Sequence, residues 1–436
     1  MFNGRYKESK MDFSHIIAPK TPSAWLDMDA LDYNIQLVNQ KTQAVKLRLA
    51  TKSIRSLDVL RYIKDKSPHF IGLMSYSADE SLYLLENGFD NILCAYPTLD
   101  TTSIAAALKY TKQGATMIWM VDRYEHVDVL NEVAKAHDVI IDICLDINMS
   151  MPLPKLYFGT KRSALMSIKD VKKLLKHIKK CAHINVSAAM GYEAQIAGLP
   201  EHLPGKTLLS PAIRLLKSRS QKQVSQRRRS IVEYLHKQGH TLKLVNGGGS
   251  GSMDFTSSQP EVSEITVGSA YYKPAYFDYM DSMHEFQPAA GFVLPVTRQP
   301  EKGVITCHGG GFIASGATGA DKAPVIHYPE YLSSLSDEGF GEVQTPMALS
   351  KNKKGSDNPR VSIGDGIWCR HAKAGELCEH FNELICYRQS LQSTADSLVS
   401  DSLVSDEMLA ENSEKTNKEE KQQTMTTYRG EGKCFH

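Results

Sequence analysis

The sequence predicts an α/β protein: a (β/α)8 barrel of the TIM type, then a C-terminal all-β domain and a disordered tail. Three observations predict it. Eight short apolar runs alternate with helical patterns between residues 45 and 267. Beyond Tyr279 the long helical patterns stop, and short β-like runs rich in Gly and Pro take over. Residues 391–436 carry a direct repeat, Asp396-Ser397-Leu398-Val399-Ser400 followed by Asp401-Ser402-Leu403-Val404-Ser405, and offer little apolar surface.

Residues 1–20 read as a loose lead-in. Thr21-Pro22-Ser23 opens an extended piece over 24–28, and Asp29 is placed to cap a helix whose apolar face carries Leu31, Ile35 and Val38. The predicted strands are 45–50, 70–74, 91–94, 116–121, 139–145, 184–188, 242–245 and 264–267. Helical patterns lie between them, as at 77–87, 123–137, 167–180 and 221–238. An open doubly wound sheet shows the same alternation; eight repeats favour the barrel. The domain expectation is a barrel over 21–279, with its first strand at 24–28 joining the β-domain, and a β-domain over 280–390. The β-domain contains the runs 291–296, 303–307, 325–327 and 364–368. Removal of 391–436 is expected to leave activity and stability nearly unchanged, because too little apolar surface is there to offset chain entropy.

The 436 residues carry a formal net charge of +2, which argues against a nucleic-acid or polyanion partner. The run Gln226-Arg227-Arg228-Arg229 falls within a helical pattern and reads as a solvated face. Eight cysteines without a C-x-x-C pair, several in apolar surroundings (Cys94, Cys144, Cys386), point to reduced thiols. Met1 to Lys20 is polar and mixed, and no apolar run is long enough for a bilayer. The expectation is a cytoplasmic protein with no membrane partner.

Two stretches carry chemistry. In the first, a strand ends on Leu49-Ala50-Thr51 and delivers Lys52-Ser53 just past its C-terminal end, where barrels of this kind collect their functional groups. A desolvated lysine there has a lowered pKa and acts as a nucleophile. In the second, a strand runs into Asn246-Gly247-Gly248-Gly249-Ser250-Gly251-Ser252. Consecutive glycines let backbone N–H groups converge on a phosphate, and Ser250 and Ser252 add hydroxyls. It is neither a P-loop nor a dinucleotide fingerprint. A second small-residue turn, Gly268-Ser269-Ala270-Tyr271, follows the next strand, and Tyr271 or Tyr272 is placed to add a hydroxyl. A nucleophilic lysine with a phosphate cup suggests pyridoxal 5′-phosphate.

Four pieces in this order resemble the fold-type III pyridoxal-phosphate enzymes, which share the alanine racemase type of barrel. The likeness is to the branch of D-threonine aldolase, D-serine dehydratase and amino acid deaminase/aldolase proteins. The pieces are Thr21-Pro22 with Leu26-Asp27-Met28-Asp29-Ala30-Leu31; Leu47-Arg48 with Lys52-Ser53; Met190-Gly191-Tyr192-Glu193; and Val245-Asn246-Gly247-Gly248-Gly249-Ser250-Gly251. The resemblance runs from Thr21 to about Arg388. It implies that Lys52 bonds the cofactor covalently. It also implies that Gly248, Gly249, Ser250, Gly268 and Ser269 hold the phosphate, that Tyr192 lies near the active site, and that two copies pair as a homodimer. The activity implied is a lyase on a β-hydroxy-D-amino acid, by retro-aldol cleavage or by dehydration and deamination.

Two departures stand out. Where the branch often carries a histidine two residues before the lysine, this chain has Ala50. Where the branch carries a metal pair, this chain keeps His371 but has Lys373 as the second member. A protonated amine does not ligate a metal, so no metal ligands are assigned, and Lys373 is expected to supply the charge instead. His371 is the candidate that moves a proton at the substrate hydroxyl. Asp146 ends a strand that could face the barrel mouth, and Arg162 is a candidate for a substrate carboxylate or the ring side. Cys307-His308-Gly309-Gly310-Gly311 reads as a tight β-turn, and Cys369 and Cys378 flank His371 without a zinc spacing. Two rival readings are an amino-acid racemase on the same scaffold, for which Tyr276, Tyr279 and Tyr328 are available, and a non-catalytic pyridoxal-phosphate-binding protein. The β-domain counts against the latter.

Overall fold

The structure is a computed structural model and describes residues 11–205, 207–317, 319–349, 361–388 and 423–435. The strands in chain order are β1 (Ser23–Asp27), β2 (Lys46–Ala50), β3 (Phe70–Ser75), β4 (Ile92–Cys94), β5 (Met117–Val121) and β6 (Ile141–Asp146), then β7 (Met151–Leu153), β8 (Leu156–Phe158), β9 (Ile184–Gly191), β10 (Leu244–Gly247) and β11 (Glu264–Val267). They continue as β12 (Ala290–Glu301), β13 (Val304–His308), β14 (Val325–Tyr328), β15 (Leu332–Ser334), β16 (Gln344–Leu349), β17 (Gly366–Arg370), β18 (Glu383–Tyr387) and β19 (Thr424–Thr426). The helices are α1 (Met28–Lys41), α2 (Leu57–Asp65), α3 (Ala78–Glu86), α4 (Thr101–Lys112), α5 (Tyr124–Ala136), α6 (Ile168–Ile178), α7 (Ala194–Ala197), α8 (Ser210–Lys237) and α9 (Met253–Ser257).

The chain forms two compact units. Of the described residues, one holds those within 35–271, 276–286 and 433–435; the other holds those within 11–34, 272–275, 287–388 and 423–432. In the first, β2, β3, β4, β5, β6, β9, β10 and β11 form a closed parallel barrel in which β11 pairs with β2. The eight strands predicted from apolar runs are these eight. The helices between them start on side-chain caps: Ser56 accepts from Val59 N, Ser77 from Glu80 N, and Ser167 forms a capping box with Asp170. Leu93, Ile118, Met120, Cys144, Ala188, Met190 and Leu244 form an apolar cluster from five of the strands.

One buried ionic cluster joins the ends of the barrel sheet. Arg48 on β2 is fully buried. Its Nε and Nη2 donate to the Glu264 carboxylate on β11 at 2.7 and 2.9 Å, and Nη1 and Nη2 donate to Asn91 O and Oδ1 at 2.6 and 2.9 Å. Gly72 on β3 makes room: a Cβ there would lie 2.9 Å from Arg48 Nη1 and 2.0 Å from Asn91 O. Asn246 on β10 donates to Glu264 Oε1 and to Thr266 Oγ1, both at 2.8 Å. Each partner is thus hydrogen-bonded, the condition under which a buried charge pair is tolerated.

In the second unit β1 lies between β12 (antiparallel) and β18 (parallel). The sheet runs β15-β16-β13-β12-β1-β18-β19, with β17 pairing with both β12 and β14. Trp25, Trp368, Phe13, Val293, Met11 and Tyr387 pack into its aromatic core. Asp27, rather than Asp29, opens α1: its Oδ1 accepts from Asp29 N and Ala30 N at 3.0 Å. Asp29 and Asp32 instead pair with Arg388 at 3.1 and 3.0 Å.

The expected tail needs a correction at its far end. Residues 391–422, including the direct repeat, lie outside the described residues. Residues 423–435 are described: Thr424–Thr426 is a strand on β18, and Thr427, Met425 and Tyr428 are buried. Phe435 packs on the Tyr83 ring at 5.2 Å. The Thr/Met/Tyr alternation is too short to register as a strand beside the long polar run that precedes it. Truncation after residue 422 is therefore expected to cost about 3 kcal/mol from the loss of the buried Met425 and Tyr428 alone. Denaturant titration of the truncated chain checks this, and an unchanged midpoint would refute it.

Candidate active site

Lys52 lies in a single 3-10 turn, Thr51–Ser53, directly after β2. The structure corrects one expectation here: Lys52 is exposed, so burial is not what prepares its amine. Its Nζ instead donates to the Tyr96 hydroxyl at 3.3 Å. Thr51, before it, is buried and donates through Oγ1 to Met74 O at 2.9 Å, which fixes the turn.

From Lys52 the contacts run around the C-terminal ends of the strands. The Arg162 guanidinium lies over the Tyr96 ring at 5.0 Å and over the Tyr192 ring at 5.8 Å. Tyr192 borders Gly249, where an added Cβ would sit 3.2 Å from its Cε2. Ser250, the next residue, accepts from Ala270 N at 2.9 Å. Ser269 Oγ is 3.0 Å from Ser53 Oγ, and Ser53 follows Lys52. The path closes on itself. It gathers Lys52, Tyr96, Arg162, Tyr192, the glycine nest and the second small-residue turn into one ring.

Each member is placed by local structure. Asp146 ends β6, and Arg162 Nε donates to its carboxylate at 2.9 Å while Nη2 donates to Ala95 O at 3.0 Å. Arg162 returns there because β7 and β8 form a hairpin in the loop after β6, with Asn148 Nδ2 donating to Ser163 O at 2.7 Å. Burial raises the Asp146 carboxyl even against Arg162, and the Asp146 charge in turn raises Arg162. Burial and Glu193 push the Tyr192 phenol up to about 12. Tyr271 follows the second turn but its side chain is fully buried, which drives its phenol upward. It is not a member of the ring.

The glycine nest rests on a residue that sequence reasoning quoted without a role. Glu193 is fully buried. It accepts from Ser252 Oγ at 2.9 Å, from Gly248 N at 3.3 Å, from Thr256 Oγ1 and from Arg228 Nη2 at 2.6 Å. Arg228, read earlier as part of a solvated face, is fully buried on α8 and also donates to Gly191 O at 2.7 Å. Gly248 has φ +81°, and an added Cβ would meet Ile265 at 2.5 Å, so this position requires glycine. Gly268 is equally confined, with Ala50 Cβ at 2.8 Å and Ser53 Cβ at 2.9 Å from an added Cβ. The signal for Glu193 was its place in Met190-Gly191-Tyr192-Glu193; nothing in spacing alone shows a buried ion pair.

In the β-rich unit, His371 follows β17 and is buried at 3 % exposure. Its ring meets the Tyr272 ring edge-on at 6.4 Å. Burial, then the charge of Arg370, lowers its pKa to about 3, against the weaker pull of the Ala290 backbone. Lys373 donates to the Ser315 carbonyl, and Ser315 N donates to Glu376 at 3.0 Å. Cys307 is buried within β13, and His308 ends that strand. Among the described residues, one group of three possible metal ligands lies within 4.8 Å, Asp128, His177 and Cys181, and it does not include His371. No helix among the described residues is long and apolar enough to cross a membrane.

The arrangement fits pyridoxal phosphate: an amine stands beside two small-residue turns joined by the Ala270–Ser250 hydrogen bond, the second meeting the lysine turn through the Ser53–Ser269 contact, with a guanidinium and aromatic rings adjoining. Two predictions follow from the geometry. Glu193→Ala leaves Arg228 buried without its counter-charge and strips Gly248 N, Ser252 and Thr256 of their acceptor, and is expected to cost about 3–5 kcal/mol of stability by denaturant titration; Glu193→Gln, which also removes the charge but keeps one acceptor oxygen, should cost less. For His371, the unfolded imidazole binds a proton below about pH 6.5 while the folded one does not until about 3. Stability is therefore lost as pH falls through that window, by about 1.4 kcal/mol per unit. Asp27, raised to about 6 by burial, acts with the opposite sign. The difference between wild type and His371→Gln isolates the histidine; a difference that stays flat from pH 7 to 4 refutes the assignment.

Comparison with known proteins agrees with this geometry. The family model of the alanine racemase N-terminal domain matches residues 26–275. No curated protein sequence matches the chain. Among solved structures, D-threonine aldolase from Filomicrobium marinum superposes with a TM-score of 0.70 at 16 % identity, covering 85 % of this chain and 91 % of that one. D-threo-3-hydroxyaspartate dehydratase from Delftia sp. gives 0.64 at 15 %, covering 86 % and 96 %. Alanine racemase from Clostridium difficile 630, in complex with cycloserine, gives 0.59 at 13 %, covering 86 % and 97 %. The fold is therefore that of the fold-type III pyridoxal-phosphate enzymes, and the chain belongs to the alanine racemase N-terminal domain family.

Proposed function

We propose that the chain is a pyridoxal-phosphate-dependent lyase acting on a β-hydroxy-D-amino acid. It either cleaves the substrate to glycine and an aldehyde, or dehydrates and deaminates it to a 2-oxo acid and ammonia. The observation that carries this reading is the closed ring of contacts from Lys52 through Tyr96, Arg162, Tyr192, Ser250 and Ser269 back to Ser53. The likeness to an aldolase and a dehydratase, both named for D-configured substrates, supports the substrate class.

The bound cofactor supplies an electron sink for the bond being broken. The chain supplies the rest. Lys52 would anchor the cofactor covalently. Gly248, Gly249, Ser250, Gly268 and Ser269 would form the phosphate cup, with the Ser250 and Ser269 hydroxyls as donors, because the Gly248 N–H is given to Glu193 and the Gly249 N–H to Ser252. Tyr192 flanks the ring, held by Arg162 on one side and Gly249 on the other. Arg162, its charge already oriented by Asp146, binds the substrate carboxylate in the fork geometry that guanidinium favours. His371 is kept neutral by burial and accepts a proton from the substrate hydroxyl, and Lys373 supplies the positive charge that a metal supplies elsewhere in the branch. The proposal includes a homodimer, a small amino-acid substrate, and no nucleic-acid or membrane partner.

The test is the visible spectrum of the purified protein beside Lys52→Ala, followed by borohydride reduction and peptide mapping. A yellow wild type labelled on Lys52, and a variant without label, are expected. Cleavage or deamination of D-threonine or D-serine should then survive EDTA. A wild type that takes up no added pyridoxal phosphate overturns the proposal, and a stoichiometric divalent ion required for turnover overturns the role of Lys373.

A further inference from the structure

Tyr96 lies two residues beyond β4, the shortest barrel strand together with none of the motifs that mark Lys52 or the glycine nest. Its backbone is fixed from several sides. Ala95 N donates to Ser75 O at 2.9 Å, Ala95 O accepts from Arg162, and the Cys94 thiol donates to Tyr96 O at 3.5 Å. Pro97 follows and disfavours helical backbone at Tyr96. The phenol is thereby presented at 39 % exposure with its oxygen 3.3 Å from Lys52 Nζ.

We propose that Tyr96 is the proton acceptor that frees the Lys52 amine for covalent attachment. This rests on the reading of Lys52 as the anchor. An exposed lysine is not prepared by burial, so the proton on its ammonium needs another destination, and the Tyr96 oxygen is the polar atom in contact with it. The ammonium Nζ gives one proton to the phenolate oxygen. The freed amine then attacks the aldehyde carbon of pyridoxal phosphate; a C=N bond replaces the C=O bond, and the oxygen leaves as water carrying the two remaining amine protons. The groups that face Tyr96 favour its phenolate. Lys52 and Arg162 are cations 5.8 and 5.0 Å from the centre of the Tyr96 ring; Asp146 is a carboxylate already paired with Arg162; Tyr192 is a neutral phenol held by the same guanidinium. The charge of Lys52 first, then that of Arg162, lowers the Tyr96 phenol below its ordinary value, against its partial burial and Asp146. The proton-accepting form is thus reached at a lower pH than for a free tyrosine.

The test is the rate at which apoprotein takes up pyridoxal phosphate covalently, read by absorbance and by borohydride-trapped mass, from pH 6 to 11 without substrate. Tyr96→Phe is expected to load about a hundredfold more slowly near pH 7.5, at the lower end of the range for one general base. The two rates should converge toward the alkaline end of the range, where hydroxide does the work of the phenolate. Replacing Tyr96 with 3-fluorotyrosine, a more acidic phenol, should move the onset of loading to lower pH and keeps the hydroxyl in place. Superimposable profiles for wild type and Tyr96→Phe, or an onset unmoved by fluorotyrosine, overturn the role of Tyr96 while leaving Lys52 as anchor. A wild type that never loads, with no label on Lys52, overturns the underlying reading itself.

Discussion

Closure of the barrel rests on Arg48 and Glu264. They come from β2 and β11, the first and last strands of the ring, whose register sets Thr266 opposite Arg48. Lys52 lies four residues after Arg48, and Gly268 four residues after Glu264. The buried pair therefore fixes the height at which the lysine turn and the second small-residue turn emerge side by side. A one-residue slip between β2 and β11 would reverse which side chains face the interior. It would also break the Ser53–Ser269 contact. Isolated from its partner, either charge would be buried at a cost of several kcal/mol, so the pair enforces register as well as closure.

A second buried pair, Glu193 with Arg228, does for the glycine nest what Arg48 and Glu264 do for the lysine. Glycines alone give backbone freedom, and a nest left to itself would lose its convergence of N–H groups to chain entropy. Glu193 collects Gly248 N, Ser252 and Thr256, and Arg228 ties Glu193 to the end of β9. Both ends of the candidate site are thus held by ion pairs beneath it, while Lys52 and Tyr96 stay exposed. This explains how Lys52 is exposed and still well placed: its turn is anchored by the buried Thr51, not by the amine.

The barrel was legible because strand and helix periods alternate eight times and small residues mark the two turns after β10 and β11. Lys52, Ser250 and Ser269 were legible for the same reason, since each follows a recognisable strand at its C-terminal end. Other features were not. Tyr96 follows a strand of three residues and belongs to no motif, so only the fold brings its hydroxyl to Lys52. Arg228 sat in a run of three arginines whose bulk polarity suggested solvent, yet the helix turns this one inward to Glu193 and leaves Arg229 half-exposed toward Glu261. The strand Thr424–Thr426 is legible only through its partner β18, because a three-residue edge has no period of its own. Desolvation of Lys52 was inferred from position along a strand, but position does not fix burial.

The contrast between Lys52 and His371 shows two ways of controlling a proton. His371 is enclosed by Tyr272, the Ala290 backbone and Arg370, and burial strips its proton by making the charged form costly. That keeps the imidazole neutral at every physiological pH, and it also makes the ring a weak base. Lys52 is open to water, and the control falls to a neighbouring phenol biased by two cations. Burial gives a fixed protonation state, whereas a paired phenol gives one that changes as the partner's charge changes. Burial thus fixes the resting form of His371 as the neutral imidazole beside Arg370, and the phenol beside Lys52 gives the lysine proton a place to go when the amine attacks.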